Sequence, residues 1–352
     1  MWVRLFHVTL FLSCLLPAAG ICQTWRAIEP SGSRPAPRMR AAAVYDPAGR
    51  RLLLFGGRGA GRELGDLWAF DLEEERWTEV ASGGAVPAPR STHALLLDAA
   101  TRRLLVWSGR QNDTFYADTW AYDLAAGEWA EVAVGETRPA ERYGSVAVFD
   151  PVARGLVAFA GFTYSGRFGD TWRLAVDEGT WSDLQPDPSP GRRCLHAAAY
   201  DPQAGRMLIY GGQRDGGALA DLWAFDLAQG VWTELTPADG PAGRTFASLA
   251  YDQHRHRLLL FGGNLGNDAK VAEVWSFDLG AARWQQVETQ GTGPEPRDGA
   301  AAVYDPVGDR LLVATGAAPV GLFDDIWALE LGEPGPAAVG ASAWGAVKGG
   351  RR

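Results

Sequence analysis

Six arginines recur along the chain at almost constant intervals and are the first residues to consider as functional groups. A guanidinium can hold a carboxylate or a phosphate through two parallel hydrogen bonds, so a ring of such groups could bind an anion. The presence of one arginine in every repeat, however, favours a structural role, such as hydrogen bonding to the backbone of a neighbouring strand. These repeat arginines are Arg38, Arg90, Arg142, Arg193, Arg244 and Arg297.

Histidines are the next candidates, because imidazole serves both as a metal ligand and as a general base. His254 and His256 lie in a predicted turn rich in arginine, where solvated side chains are expected rather than a metal site. His93 and His196 each stand three residues after a repeat arginine, and their Ala and Ser equivalents in the other repeats supply no further ligands. The chain also lacks a Gly-x-Ser-x-Gly elbow, a phosphate loop and a dinucleotide fingerprint. We therefore predict no catalytic residue, no metal and no cofactor.

The arginines belong to a longer repeat, with spacings of 52, 52, 51, 51 and 53 residues. Eight residues after each arginine comes an aspartate, and 18 residues after it begins a pair that ends in glycine. A tryptophan follows 30 or 31 residues after each arginine, and five repeats have a second tryptophan nine residues later. The sixth copy of that second tryptophan is missing, but Trp25 precedes Arg38 by the same 13 residues that separate Trp77 from Arg90. Segment 24–28 is therefore predicted to be the last strand of the sixth repeat.

Each repeat divides into four short strands, labelled a to d. In the first repeat, strand a covers 40–46, strand b 50–57, strand c 66–72 and strand d 76–80. Strand b is a continuous apolar run, as expected for a strand covered on both faces, whereas strand c shows a half-covered, alternating pattern. Four antiparallel strands in about 50 residues make one propeller blade. The predicted fold is all-β: a six-bladed β-propeller of four-stranded antiparallel blades, closed by the N-terminal strand.

These repeated residues resemble the Kelch family. The resemblance rests on the leading arginine, the glycine pair after strand b, Asp-x-Trp-x-Tyr/Phe and the second tryptophan, and it covers residues 24–331. It implies that strand a lies at the central channel and strand d at the rim, which fits the small residues Ala41, Ala42 and Ala43 of strand a.

Some Kelch relatives carry out chemistry, and the resemblance extends to them unequally. The copper ligands of galactose oxidase have no counterpart in this chain, and the Glu-x-x-x-Asp-x-x-x-His iron motif of plant specifier proteins is absent. Bacterial sialic acid mutarotases are six-bladed, exported Kelch proteins, and nothing in the sequence excludes that activity.

The connections between strands indicate where binding would occur. The a–b and c–d turns are short and repetitive, whereas the b–c loops vary and share one face of the propeller with the d–a connections. Variable loops on a regular scaffold commonly carry recognition, so this b–c/d–a face is the predicted binding site. Its candidate contact residues are Arg58, Arg62, Arg110, Gln111, Phe115, Tyr116, Phe162, Tyr164, Arg167, Phe168, Arg214, Asn264, Lys270 and Phe323. Aromatic residues mixed with arginine suit a protein partner or a polar ligand such as a sugar acid.

The N-terminus predicts export. Arg4 precedes an apolar run that is too short to span a bilayer, and small residues follow it, as in a secretory signal peptide. We therefore predict a secreted protein, in an extracellular or periplasmic space. Lipid anchoring at Cys22 is disfavoured because bulky Ile21 occupies a position that requires a small residue.

Composition limits the partners. A formal net charge of −9 argues against nucleic-acid binding, and no segment after the signal peptide is apolar enough for a membrane span. Only Cys194 lies clearly inside the mature chain, so no intrachain disulfide is expected. Asn112 begins an Asn-Asp-Thr sequon, which a host with the appropriate machinery could glycosylate.

The predicted domain plan has three parts. They are a signal peptide (1–22), a Kelch propeller (23–331) and a flexible tail rich in Gly, Ala and Pro (332–352). The predicted blades cover 38–80, 90–132, 142–184, 193–235, 244–287 and 297–331, the last completed by 24–28.

Two functions stay open from the sequence. The first is an exported, non-catalytic binding module that presents the b–c/d–a face to a protein or a glycan. The second is a sugar-acid-processing enzyme resembling sialic acid mutarotase, in which an arginine holds the carboxylate and a carboxylate or tyrosine moves protons. A desolvated carboxylate beside arginine at the channel mouth would favour the enzyme, and a flat, loop-built surface would favour the binder. The sequence does not indicate the identity of the ligand or the oligomeric state.

Overall fold

The computed structural model describes residues 23–332. The predicted signal peptide, and the predicted tail after its first residue, lie outside the described residues. Within residues 23–332 the chain consists of β-strands joined by turns and bends, and it contains no helix that could cross a membrane. Six sheets, one per sequence repeat, carry the architecture. The all-β, six-bladed propeller predicted from the repeat is thus confirmed.

Each blade has four main strands in the order a-b-c-d, with strand a lining the channel and strand d at the rim. The a strands are Ala42–Asp46, Ala94–Asp98, Val146–Asp150, Ala197–Asp201, Ser248–Asp252 and Ala301–Asp305. The b strands are Arg51–Phe55, Arg103–Trp107, Gly155–Thr163, Arg206–Tyr210, Arg257–Phe261 and Arg310–Ala314. The c strands are Leu67–Asp71, Thr119–Asp123, Gly166–Ala175, Leu222–Asp226, Val274–Asp278 and Ile326–Glu330. The d strands are Arg76–Glu79, Glu128–Glu131, Thr180–Asp183, Val231–Glu234, Arg283–Gln286 and, for blade 6, Gln23–Ile28.

Shorter strands extend this frame. Gly83–Gly84 pairs with strand d of blade 2, and Thr289–Gln290 pairs with Gln23–Ile28, both in parallel. Two-residue hairpins extend the b–c connections of blades 2, 4 and 6. Their strands are Arg110–Gln111, Thr114–Phe115, Gln213–Arg214, Gly217–Ala218, Ala317–Ala318 and Gly321–Leu322.

Neighbouring blades pack against each other through apolar layers. One layer joins blade 6 to blade 1 and contains Leu54, Trp77, Leu312 and Ile326, each 2% exposed or less. Five further layers join the other neighbouring blades. Strand b contributes alternate residues to the layers on its two sides, which explains its continuous apolar sequence.

Two closed rings of backbone hydrogen bonds encircle the channel at its b–c/d–a end. In the first, the second residue of each glycine pair donates to the carbonyl of the repeat arginine of the next blade, at 2.8–3.0 Å. In the second, which we call the inner ring, the residue two positions after each repeat arginine donates to its equivalent in the preceding blade, at 2.7–3.1 Å. The inner-ring residues are Arg40, Thr92, Gly144, Leu195, Phe246 and Gly299, all with positive φ. Both rings also bridge the seam between blades 6 and 1.

The N-terminal strand occupies the outer position of blade 6. Gln23–Ile28 runs antiparallel to Ile326–Glu330 and fills the place of the missing d strand. Its Trp25 is 7% exposed and meets Phe261 edge-on, with ring centroids 5.8 Å apart. The dependence of the ring on this strand stays a prediction, which a deletion would test.

The b–c connections are more regular than the sequence predicted. In blade 3 the b and c strands continue through the predicted loop, with a bulge between Phe159 and Gly161. Strand a of blade 1, by contrast, begins two residues later than predicted. Arg40 adopts a φ of 58° and joins the inner ring, so it cannot pair in the sheet.

Candidate functional site

The six repeat arginines are buried and paired within their own blades. Arg38, 0% exposed, places both terminal nitrogens on the carboxylate of Asp66, at 2.6 and 2.7 Å, and donates to the carbonyl of Gly56 at 2.9 Å. The arginines of blades 2, 3, 4 and 6 repeat this arrangement. In blade 5, Glu273 replaces the aspartate and accepts one hydrogen bond from Arg244, at 3.0 Å. Their terminal nitrogens therefore bond inside the blades, and the six arginines do not form an open ring for an anion.

The carboxylates that pair with these arginines also bind a tryptophan. In each blade the carboxylate also accepts the indole N–H of the tryptophan two residues later, as from Trp68 to Asp66 at 2.7 Å. Burial alone would raise the pKa of Asp66, but hydrogen bonds and charge from Arg38 outweigh it and lower that pKa. The repeated aspartate and the first tryptophan thus form one polar network with the arginine, a link that sequence reasoning missed.

Three of the predicted contact residues cover these ion pairs. Tyr116, Phe168 and Phe323 lie over Arg90, Arg142 and Arg297, with the guanidinium carbon 4.3, 3.9 and 4.0 Å from the ring centroid. Such stacking supplies cation–π attraction and excludes water from the pair. These aromatic residues are therefore committed largely to the fold.

Other predicted residues are brought together between blades 2 and 3 as an aromatic platform. The platform consists of Arg110, Phe115, Tyr143, Phe162, Tyr164 and Arg167. Phe115 stacks on Tyr143 at 5.2 Å and touches Tyr164 at 4.7 Å, while Tyr143 meets Phe162 edge-on at 5.5 Å. Arg110 lies over Tyr143 at 4.9 Å, and Arg167 lies near Phe162 at 5.7 Å. Tyr143, which follows a repeat arginine, was not among the predicted residues.

Tyr164 is the exposed edge of the platform. Tyr164 is 69% exposed. Its hydroxyl donates a hydrogen bond to Asp113 at 2.9 Å, and this bond raises the pKa of Tyr164. Asp113 and Tyr164 border a groove of about 630 Å³ that also includes the acidic residues Glu131 and Glu141 and one cation, Arg138. The platform thus presents aromatic and charged groups together at an open surface.

A second concavity, the mouth pocket, lies where blades 4, 5, 6 and 1 meet the channel. Its volume is about 760 Å³, and its lining includes the predicted residues Asn264 and Lys270. Lys270 forms an ion pair of 3.3 Å with Asp298, which is 4% exposed, and donates to the carbonyl of Ala317 at 3.2 Å. Arg40 borders both this pocket and the channel.

The Arg40 guanidinium lies 4.0 Å over the ring of Phe246. Arg40, Phe246 and Asp298 were not among the predicted residues, because they follow repeat arginines rather than lie in b–c loops. A signal was nevertheless present, since the inner-ring position carries a different residue type in most blades, unlike its neighbours.

The remaining predicted residues lie apart. Arg58 pairs with buried Glu63 at 3.6 Å, and Gln111 accepts a hydrogen bond from the Tyr116 hydroxyl at 3.0 Å. Arg62 and Arg214 are exposed at separate points of the same face. The predicted set is therefore not one site but a platform, part of a pocket, and scattered surface positions.

The channel itself is narrow and lined by strand a, with a volume of about 230 Å³. His93 and His196 lie along it, 7% and 6% exposed, and meet Phe55 and Phe159 edge-on. Burial, together with the charge of Arg90, lowers the pKa of His93 to about 3. Burial, with the charge of Arg193, also lowers the pKa of His196 well below its ordinary value, so both imidazoles are neutral near pH 7. Residues 23–332 contain no group of three His, Cys, Asp or Glu placed to hold a metal ion.

Comparisons with known proteins agree with this architecture. A family model described as the KLHDC2/KLHL20/DRC7 Kelch-repeats domain matches residues 21–190 and 186–334. Multiple epidermal growth factor-like domains protein 8 of Homo sapiens is 26% identical over 84% of this chain and 11% of its own length. The Leucine-zipper-like transcriptional regulator 1 homolog of Drosophila melanogaster is 26% identical over 73% of this chain and 27% of its own. Acyl-CoA-binding domain-containing protein 4 of Arabidopsis thaliana is 26% identical over 83% of this chain and 45% of its own.

The chain spans less than half the length of each of these relatives. The family match, in contrast, covers nearly all of residues 23–332, and every blade carries the arginine, glycine and tryptophan of the repeat. The chain therefore belongs to the Kelch-repeat family.

Proposed function

We propose that this protein is a binding module that recognises a protein partner through the aromatic platform on its b–c/d–a face. The observation that carries the proposal is the contiguous set of Phe115, Tyr143 and Tyr164 beside Arg110. Tyrosine, other aromatics and arginine dominate the binding energy of protein interfaces, because they bury large areas and keep a polar end. Kelch propellers generally bind proteins, which supports this reading.

The rigidity of the platform also supports protein binding. Five of its six members lie on the b–c hairpins of blades 2 and 3, and the sixth, Tyr143, forms a β-bridge with Phe162, so binding would order few additional residues. Preorganised side chains lose less conformational entropy on association. A glycan stacked on Tyr164 is the alternative occupant of the same surface, and binding of oligosaccharide in place of protein would identify it.

The experiment compares wild-type protein with a variant carrying both Phe115→Ala and Tyr164→Ala. Capture from the native secretome should give proteins that are retained by wild type and lost by the double variant. Val320→Ala is the matched control, because Val320 is 81% exposed at the tip of the blade 6 hairpin on the same face. Equal capture by all three proteins would show that the platform is not the binding surface.

Export is part of this proposal. It rests on the sequence of residues 1–22, which has the order of a signal peptide: a basic residue, an apolar run and small residues. Expression of the full chain in a secreting host, followed by N-terminal sequencing, should give a mature start close to residue 23. Full-length protein retained inside the cell would contradict export.

A second candidate function is a sugar-acid enzyme resembling sialic acid mutarotase. The observation that favours it is buried Asp298 beside Lys270 in the mouth pocket, since a desolvated carboxylate near a cation can serve as an acid or base. The anomeric exchange of a sialic acid, followed by NMR, should then be accelerated by wild type and slowed by Asp298→Asn. If wild type did not accelerate the exchange, the enzymatic function would be rejected and the binding module would be the one remaining proposal.

A further inference from the structure

Arg40 differs from the other arginines that surround the channel, because its guanidinium has no anionic partner. None of its three nitrogens makes an ion pair or hydrogen bond with any residue in 23–332, and its Nε is buried. Arginines elsewhere in this range that lack an ion pair or a side-chain hydrogen bond are exposed, except Arg110. An unpaired charge in a partly buried site is costly, so its retention points to a ligand that completes it.

The surroundings of Arg40 hold it at the edge of two cavities. Its aliphatic stem crosses Gly299, where an added Cβ would come within 2.9 Å of the Arg40 Cγ. Its guanidinium then rests 4.0 Å from the ring centroid of Phe246. Because Gly299 has no side chain, Arg40 of blade 1 can extend across blade 6 and contact Phe246 of blade 5. One flank of the guanidinium packs on the aromatic ring, and the cavity lies beside it.

The charges near Arg40 leave the site open to an anion. Asp298, the nearby carboxylate, is already engaged by Lys270 at 3.3 Å. Burial is the main reason that the pKa of Arg40 is lowered; Asp298 opposes that shift, while Arg110 and Arg58 add to it. Positive charge thus exceeds negative charge around the guanidinium, although the chain as a whole is acidic, at −9.

We propose that Arg40 binds the carboxylate of a small organic acid in the mouth pocket. A planar carboxylate matches the guanidinium fork, and a single negative charge balances the one unpaired cation that borders the pocket. The amide side chains of Gln213 and Asn264 line the same pocket and can bond to hydroxyl groups of the acid. The pocket volume of about 760 Å³ is sufficient for a monosaccharide acid.

This site is independent of the protein-binding proposal, because the mouth pocket shares no lining residue with the aromatic platform. It is the pocket of the second candidate function, which the inference deepens by naming the group that would hold the acid. Glucuronate binding without any acceleration of anomeric exchange would support the site and reject the enzyme. A protein partner could be lost by Phe115→Ala and Tyr164→Ala while the acid still binds, and the reverse holds for a change at Arg40. The two proposals therefore fail separately.

The test measures binding of D-glucuronate to the mature protein by calorimetry at low ionic strength, with D-glucose and inorganic phosphate as comparison probes. Wild type should bind glucuronate in preference to both. Arg40→Gln should weaken glucuronate binding at least about tenfold, since hydrogen bonds to charged groups contribute that much. Arg40→Lys should give an intermediate affinity, because it keeps the charge and loses the fork. Arg62→Gln is the matched control: Arg62 is an exposed arginine of the same face outside the pocket, and its removal should leave the affinity unchanged.

A second readout separates ligand binding from a structural role. Removing an unpaired, partly buried charge should leave the melting temperature of Arg40→Gln equal to or above that of wild type, even as binding falls. A lowered melting temperature with unchanged glucuronate affinity would overturn the proposal and assign Arg40 to packing. Absence of glucuronate binding to wild type would also overturn it, as would tighter binding of phosphate. Tighter binding of a peptide through its terminal carboxylate would overturn the assignment to a free acid.

Discussion

Arg38 and Arg40 lie two residues apart at the same end of the propeller, yet they are used in opposite ways. Arg38 is 0% exposed and holds Asp66 with two hydrogen bonds. Every other blade has an arginine paired with a carboxylate at the same positions, through two bonds in four blades and one bond in blade 5. Arg40 occurs in one blade, rests on Phe246 and has no ion pair within residues 23–332. Chemical type and position along the chain are nearly the same, so pairing is what separates them.

This difference shows how a repeat protein can divide structural from functional charge. A residue that recurs in every blade meets the same neighbours every time, so its partner recurs with it. A residue that appears once can meet a neighbour from a different blade, as Arg40 meets Phe246 of blade 5. The unpaired arginine beside the paired one is therefore a candidate for ligand binding that the repeat pattern conceals.

The largest loss of stability is expected from deleting residues 23–30, which contain the outer strand of blade 6. Arg38 and Arg40 both form backbone hydrogen bonds across the boundary between blade 6 and blade 1, next to this strand. The carbonyl of Arg38 accepts from Gly316, and the amide of Arg40 donates to Gly299, both in blade 6. Deletion removes Trp25 and Ile28 from their layers and exposes the edge of Ile326–Glu330, which should cost about 4 kcal/mol or more. Thermal unfolding followed by circular dichroism should show a lower melting temperature or aggregation.

Trp25→Ala sharpens that experiment, since it keeps the strand and removes one buried ring. The melting temperature of Trp25→Ala should lie between those of wild type and the deletion variant. An unchanged melting temperature in the deletion would show that the two inner hydrogen-bonded rings close the propeller without the strand.

A smaller loss is expected from Arg38→Gln, measured against Arg40→Gln by urea unfolding. Arg38→Gln leaves the carboxylate of Asp66 without its partner, and breaking a buried pair costs about 3–5 kcal/mol. The Asp66 side chain is 24% exposed, so water relieves part of this cost and a value near about 3 kcal/mol is expected. Arg40→Gln should change stability by less than about 0.5 kcal/mol or increase it. Equal losses in the two variants would contradict the distinction between them.

Acid should act on the scaffold through His93, which lies beside another repeat arginine. Burial and the charge of Arg90 lower the pKa of His93 in the folded state to about 3, below its ordinary value of 6.5. A lowered folded-state pKa means that the unfolded chain binds the proton first. Stability from neutral His93 is therefore complete above pH 6.5 and is lost as the pH falls toward 3, by up to about 1.4 kcal/mol per pH unit.

The measurement compares wild type with His93→Ala, which introduces the residue found at the same position in blade 1. The variant should lose less stability than wild type between pH 7 and pH 4. Parallel pH profiles would show that this imidazole is not the acid-sensitive group. Buried His196, whose pKa is also lowered, keeps some sensitivity in both proteins.

The smallest effect on stability is expected at the platform edge. Tyr164 is exposed, so Tyr164→Ala should change the free energy of unfolding by about 0.5 kcal/mol or less. Partner binding should nevertheless fall. Tyr164 would then resemble Arg40, which is proposed to serve binding, and differ from Arg38, which serves stability. A stability loss comparable to that of Arg38→Gln would instead place the platform in the structural class, and urea unfolding distinguishes the two.

The candidate site was predictable in part. Phe115, Phe162 and Tyr164 were found because they lie in the variable b–c loops, where recognition was expected, and the structure places them together. Tyr143 and Arg40 were missed because each follows a repeat arginine closely and lies outside the variable b–c loops from which the candidate contacts were taken. Tyr116, Phe168 and Phe323 looked like surface residues in the sequence, but they cover ion pairs whose carboxylates lie two residues farther along the chain.

The sequence by itself determined the number of blades, their strand order, and the place of the N-terminal strand beside blade 6. It could do so because these features depend on local patterns that repeat about every 52 residues, so each copy supports the others. Only the tertiary structure decided which charged groups are satisfied and which are left for a ligand. That outcome depends on contacts between blades far apart in the chain, such as Arg40 with Phe246 and Gly299, which no local pattern encodes.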